Sequence, residues 1–176
     1  MTREVPTVEI RDEEPADYKQ VFEVNAQAFE TDLEAKLVET LRSKVEPLIS
    51  LVAVVEEKVV GHILLTPVTV DGCAKKDAAL MGLGPMAVLP KFQDHGIGSR
   101  LVEEGLARCR ALGTEAVFVL GHADYYPRFG FEPAEKSALR YKSEELDPYF
   151  MVLALRPGAL ESVSGHVHYS LEFDEV

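Results

Sequence analysis

The chain opens with an alternating pattern. Residues 7–12, TVEIRD, switch between apolar and polar in the manner of a strand with one covered face. From Pro15 onward the period changes to three and four, with Tyr18, Val21, Phe22, Ala26 and Phe29 marking an amphipathic helix. Thr31–Asp32 supplies a cap for a second helix, whose apolar stripe is Leu33, Leu37, Val38 and Leu41. Two β-rich runs follow, SLVAVVE (50–56) and VVGHILLTPVTV (59–70), and the charged pair Glu57–Lys58 between them predicts a hairpin. A third run, AALMGLGPMAVL (78–89), leads into LPKFQDHGIGSRL (89–101).

After those glycines, Ile97, Leu101, Val102, Leu106, Cys109 and Leu112 fall on one helical face, with Arg100, Glu103, Glu104, Arg108 and Arg110 largely off it. Gly113 is placed to end this helix in the left-handed conformation. AVFVLG (116–121) is continuously apolar, as a strand covered on both faces should be. The turn-rich HADYYPRFGF comes next, and YFMVLALRPG (149–158) and HVHYSLEF (166–173) read as late strands. The order predicts an α/β (α+β) architecture, with helices layered on a mixed sheet.

With 176 residues, no internal repeat and no low-complexity linker, one domain over 1–176 is expected. Apolar residues make up 47% and charged residues 27%, an ordinary balance for a globular protein in water. No run approaches a membrane span, and the first residues, MTREVPTVEIRDEEP, lack the apolar stretch of a signal peptide. A cytoplasmic location and no membrane partner are the expectations. Lys and Arg number 18 against 30 Asp and Glu, a net charge of -12, which argues against a nucleic-acid partner. The acidity serves solubility, or draws in a cationic substrate such as an amine. The two cysteines, Cys73 in the turn-like DGCAKKD and Cys109 in a helical stripe, suggest neither a metal site nor a disulfide framework. Covalent catalysis through either is not expected.

The glycine-rich stretch carries the first chemical signal. A helix N-terminus has free N–H groups and a positive dipole end, and Gly96 and Gly98 let an anion approach the backbone there. Gln93, three places ahead of Gly96, can close the loop or add a donor. A dinucleotide fingerprint would need a glycine where Leu101 stands, and the chain has no Gly-Lys-Ser/Thr end of a phosphate-binding P-loop. The pattern that fits is strand, Pro90, Gln-x-x-Gly-x-Gly, helix.

GPMAVLPKFQDHGIGSRLVEEGL resembles the acyl-CoA-binding segment of the GNAT family of N-acetyltransferases, with its Arg/Gln-x-x-Gly-x-Gly/Ala signature. Downstream, YYPRFGF (125–131) resembles that family's Tyr-x-x-x-Gly-Phe element. GHILLTPV and VLGHADYYPRFGFEPA are most similar to its bacterial YhbS-like branch. The resemblance implies a GNAT fold, a mixed central sheet flanked by helices in which a splayed strand pair binds acyl-CoA. It implies acetyl-CoA as cosubstrate, with no metal. By position, Met86, Ala87 and Val88 would offer backbone groups to pantetheine and the thioester carbonyl. Gln93, Asp94, His95, Gly96, Ile97 and Gly98 would wrap the pyrophosphate, with Ser99 or Arg100 adding contacts.

Tyr126, four residues before Gly130, matches the family's general acid, while Tyr125 is displaced by one position. The alternative is that both pack beside Phe129 and Phe131. The base is open. The strand ALMGLGPMAVL lacks the carboxylate many relatives carry there, which leaves His62, His122 and Glu34 as acceptor-side candidates. His62 shares a strand face with Val60 and Leu64 and reads first as structural; His122 follows AVFVLG and can face the cleft. Glu34 lies on the second helix, which often lines the acceptor site in this fold, and its bland alternative is a solvated face. Water-relayed deprotonation needs none of them. The relatives' Asn-x-x-Ala ahead of the tyrosine is absent.

The expected function is acetyl transfer from acetyl-CoA by direct attack of an amine, a small molecule first and a peptide or protein amine second. The alternatives are an acyl-CoA-binding sensor without turnover, and an enzyme for a longer acyl chain or a hydroxyl acceptor. A homodimer is possible in this family.

Overall fold

The computed structural model describes residues 6–73 and 78–176; residues 74–77, the end of DGCAKKD, and the first five residues of the opening segment lie outside them. The first strand, β1 (Val8–Asp12), is followed by a 3-10 turn at Pro15–Asp17, then α1 (Tyr18–Ala28) and α2 (Leu33–Lys44). Next come β2 (Ile49–Val55), β3 (Lys58–Pro67), β4 (Thr69–Val70) and β5 (Leu80–Val88), then α3 (Ile97–Ala111) and β6 (Ala116–Leu120). The last third contributes β7 (Glu132–Pro133), β8 (Leu139–Arg140), β9 (Phe150–Ala154) and β10 (Gly165–His168), joined by 3-10 turns.

Seven strands form the main sheet in the order β1-β2-β3-β5-β6-β9-β7, and β4-β10-β8 form a small second sheet. The β5–β6 pair is parallel, while its neighbours in the main sheet pair antiparallel. Parallel pairing needs a crossover, and α3 is that crossover. Adjacent strand residues point to opposite faces, which places the helices. A β-carbon on Gly61 of β3 would stand 3.1 Å from Leu101 of α3, whereas the next residue, His62, contacts Asn25 of α1. So α3 covers one face, and α1 with its partner α2 covers the other. A second core lies between the two sheets, where Phe118 of β6 stacks on Phe150 of β9 at 5.7 Å.

Several predicted boundaries move. The hairpin turns at Glu56–Glu57, both with positive φ (47° and 65°), one residue earlier than the charge pair suggested. Two positive φ values match the twist of a tight hairpin. The run 59–70 breaks at Pro67, so that β4 leaves the main sheet for the small one. The last predicted strand shortens to Gly165–His168, and Leu171–Glu175 coils into a 3-10 turn that packs against α2. On α1 the buried face is Val21, Val24 and Asn25, with Tyr18 exposed. Leu112, predicted on the apolar face of α3, is 59% exposed, because the helix ends at Ala111 and Gly113 turns away with φ of 81°.

Candidate functional site

β6 runs beside β5 only as far as the pair Leu83↔Val119. Beyond it β5 bends at Gly84 (φ 143°) and continues against β3 alone, as Met86↔Ile63, Ala87↔His62 and Val88↔Gly61. The edge of β5 that β6 would have covered is therefore open. Leu89 donates its N–H to Val60 O across the β3 side at 2.8 Å, so strand alternation turns the backbone groups of Met86 and Val88 toward the gap. The gap widens into a cleft of about 490 Å³, lined by Met86, Ala87 and Val88 on one wall and by Leu120, Gly121, His122 and Tyr126 on the other.

Val88 and Gln93 belong to this cleft and also to a second pocket, of about 460 Å³, around the glycine loop. Gln93 Nε2 donates to Val88 O at 2.9 Å and ties the loop to the end of β5. Asp94 and Gly96 both adopt left-handed φ, at 63° and 78°, which folds the loop over the mouth of α3. The first intrahelical bond runs from Arg100 N to Gly96 O, so the amides of Ile97, Gly98 and Ser99 have no intrahelical acceptor. These amides and the helix dipole favour an anion. Asp94, Gly96, Ile97, Gly98 and Ser99 line this pocket, and His95 sits exposed at the loop tip. Arg100 reaches the other way. Its Nη1 donates to Val8 O of β1 at 2.8 Å, and it lines neither pocket.

The two tyrosines are separated by the fold. Tyr125 Oη lies 3.0 Å from Ser99 Oγ and lines the loop pocket, with Arg128 stacked 4.4 Å from its ring centroid. Tyr126 turns to the cleft, only 7% exposed, with its ring edge-on to Phe131 at 5.7 Å and to Tyr125 at 5.1 Å. Burial, with some help from Tyr125, pushes the Tyr126 phenol well above its ordinary value of 10.0. The hydroxyl thus stays protonated at physiological pH.

Of the three acceptor-side candidates, Glu34 and His122 line the cleft and His62 does not. His62 is fully buried on the α1 face. Asn25 Nδ2 lies 3.2 Å from its Nδ1, and Ser50 Oγ lies 2.8 Å from its Nε2. Ser50 and Arg42 in turn both bond the carboxylate of Glu13. The Asn25 amide, the imidazole N–H and the Ser50 hydroxyl each find an acceptor if the imidazole is neutral with its proton on Nε2, a tautomer assigned from these partners. Burial is the main cause that lowers the His62 pKa, against the opposing pull of Glu13. Glu13 stays ionised, because His62, Ser50 and Arg42 together outweigh its desolvation. This network braces β3 opposite Ala87 and touches no substrate space. Cys109 is buried, which pushes its thiol up to about 11 and makes it a packing residue.

Sequence reasoning missed part of both pockets. Arg128, the cation of the loop pocket among its described residues, was visible inside YYPRFGF but carries no fixed spacing to the glycines. Tyr141, Tyr169 and Phe173 close the far end of the cleft. No sequence signal joins them to it, since they lie just after β8, just after β10 and in the final 3-10 turn. Gly121 is the other omission. A β-carbon there would lie 2.5 Å from Tyr126 Cε2.

Among the described residues no helix is long and apolar enough to cross a membrane, and no cluster of three His, Cys, Asp or Glu has metal-ligand geometry. A family model described as an acetyltransferase (GNAT) domain matches residues 9–134. The chain is 46% identical over 121 residues to the uncharacterized N-acetyltransferase YjhQ of Escherichia coli, covering 67% of this chain and 66% of that one. To the uncharacterized N-acetyltransferase YhbS of the same organism it is 37% identical over 166 residues, 94% of this chain and 98% of that one. The solved structure of YhbS in complex with CoA superposes with a TM-score of 0.90 over 99% of this chain and 96% of that one. A GNAT acetyltransferase from Brucella melitensis in complex with acetyl-CoA is 36% identical, with a TM-score of 0.76 over 97% and 100% of the two chains. Open strand edge, glycine-loop helix mouth, family model and near full-length relatives agree: the chain belongs to the GNAT family of acetyltransferases.

Proposed function

We propose that the protein moves an acetyl group from acetyl-CoA to an amine by direct attack in a ternary complex, and that Tyr126 delivers a proton to the departing CoA sulfur. One observation carries the reading: the open edge of β5 and the Tyr126 side chain line one cleft, which continues through Val88 and Gln93 into the loop pocket. The amides of Ile97, Gly98 and Ser99, with Arg128 beside them, hold the pyrophosphate. Met86, Ala87 and Val88 receive the pantetheine arm. A gap-facing strand amide stabilises the charge that builds on the thioester oxygen only during attack.

The amine must reach the carbonyl neutral. Its nitrogen forms the new C–N bond as the C–S bond breaks, the sulfur takes the proton held on Tyr126, and the proton the nitrogen then sheds restores the phenol. Burial that keeps the phenol protonated also raises the proton affinity of a thiolate in the same dry gap, so the transfer is not opposed by the phenol's high pKa alone. A net charge of -12 favours a cationic acceptor over a nucleic acid. The cytoplasm is the compartment we propose for the reaction.

Tyr126→Phe tests this. It should lower kcat by about 10²- to 10⁴-fold while leaving the acetyl-CoA Kd nearly unchanged. Equal losses in both would make the tyrosine a packing residue. Acetyl-CoA binding without CoA thiol release across a broad amine panel would instead mark a sensor.

A further inference from the structure

We infer that the acceptor is a primary amine with a single positive charge on an apolar body about one ring in size, its ammonium held by Glu34; the inference rests on the cleft being the acetyl-transfer site. The rest of the cleft lining is apolar and largely aromatic: Phe29 and Leu37 from α1–α2, and Tyr141, Tyr169 and Phe173 from the last third of the chain. Tyr169 is fixed in that lining. Its hydroxyl donates to Phe118 O at 3.3 Å, and its ring lies so close over Gly82 that a β-carbon there would meet it at 2.6 Å. Phe173 packs edge-on against Tyr169 at 5.0 Å. A rigid aromatic wall of this kind selects a flat apolar partner.

Within this lining Glu34 is the only acidic side chain among the described residues, and there is no lysine or arginine. Its Oε2 is buried without a hydrogen-bond partner, and Glu34 makes no ion pair among the described residues. Other buried acids are satisfied: Asp17 by Arg11 at 2.7 Å, Asp147 by Arg140 at 2.8 Å, and Glu13 by Arg42. An orphaned carboxylate oxygen beneath an apolar roof is costly, and one ammonium group satisfies it. A second ammonium would meet no second acidic side chain within this lining and would lie against Phe29, Leu37 or Phe173, which disfavours polyamines and aminosugars. Once bound, the ammonium loses one proton through Glu34 to water. Its nitrogen then forms the C–N bond, the C–S bond breaks, and the sulfur gains a proton, so that each turnover releases one proton to solvent.

The test compares phenethylamine, a ring diamine with a second ammonium, butylamine and spermidine, with Glu34→Gln and Phe173→Ala as variants and acetyl-CoA Kd as the fold control. Phenethylamine should show the highest kcat/KM, at least about tenfold above the diamine and spermidine. Glu34→Gln should raise its KM about 30-fold with acetyl-CoA Kd unchanged, and Phe173→Ala should erase the advantage of phenethylamine over butylamine. Spermidine or the diamine as best substrate, or an unmoved amine KM in Glu34→Gln, overturns the inference and leaves acetyl transfer standing. Calorimetry on the CoA-loaded protein separates the other failure. Glu34-dependent binding of phenethylamine without turnover upholds the pocket's selectivity and removes the transferase reading. Absence of binding and turnover together overturns the inference.

Discussion

Tyr126 rests against the backbone of Gly121: a β-carbon at position 121 would stand 2.5 Å from Cε2 of its ring. The residue just after β6 therefore sets where the phenol sits, although it has no side chain of its own. Gly121→Ala should push the ring out of place, lowering kcat about tenfold or more and costing about 1–3 kcal/mol of stability from overpacking. The acetyl-CoA Kd should change less than kcat, because Gly121 lines the cleft and not the loop pocket proposed to hold the pyrophosphate. Steady-state kinetics, calorimetry and thermal melting check the three parts.

Tyr125→Phe should behave in the opposite way to Tyr126→Phe. Its hydroxyl meets Ser99 Oγ at 3.0 Å in the loop pocket and not in the cleft. Loss of that bond should raise the KM for acetyl-CoA a few-fold, on the scale of one hydrogen bond of about 1 kcal/mol, with kcat largely kept. A collapse of kcat with unchanged KM would move the acid to Tyr125.

The Glu13–Ser50–His62 network gives the fold a pH dependence whose sign can be worked out. The His62 pKa is lowered below its ordinary 6.5, so the unfolded chain takes up a proton first as pH falls. Its contribution is present above pH 6.5 and is lost as pH drops from there through the folded value. Glu13, lowered from 4.5, adds a second loss below that pH. Denaturant midpoints taken from pH 8 to 4 should fall from about 6.5 downward. His62→Gln should remove the upper part of that slope, and an unchanged onset would assign it to another group.

Cys109 should resist alkylation in the native protein at pH 8, since burial holds its thiol at about 11. Peptide mapping after iodoacetamide treatment should find it modified only once the chain is unfolded. Rapid native labelling would mean that α3 opens locally.

The repeating patterns were legible because they are local. Period two in β1 and period 3.6 in α3 each report which face of one element is covered, and the β-rich runs of β2 and β3 belong to strands buried on both faces. The glycine loop was legible for a related reason: its anion-binding capacity lies within the few residues that form a helix mouth. Boundaries were less so. The hairpin turn at Glu56–Glu57 follows backbone twist rather than the charged pair that seemed to mark it. The sequence alone determined the element types, the covered faces of the long elements and the anion grip at α3. Only the tertiary structure decided that Tyr126 and not Tyr125 faces the cleft, that His62 belongs to Glu13 and Ser50, and that Arg100 reaches β1. It also brought Glu34 to Tyr169 and Phe173, more than a hundred residues away along the chain. Such pairings depend on sheet register and on where the chain returns, and neither is written in the spacing of residues within any one segment.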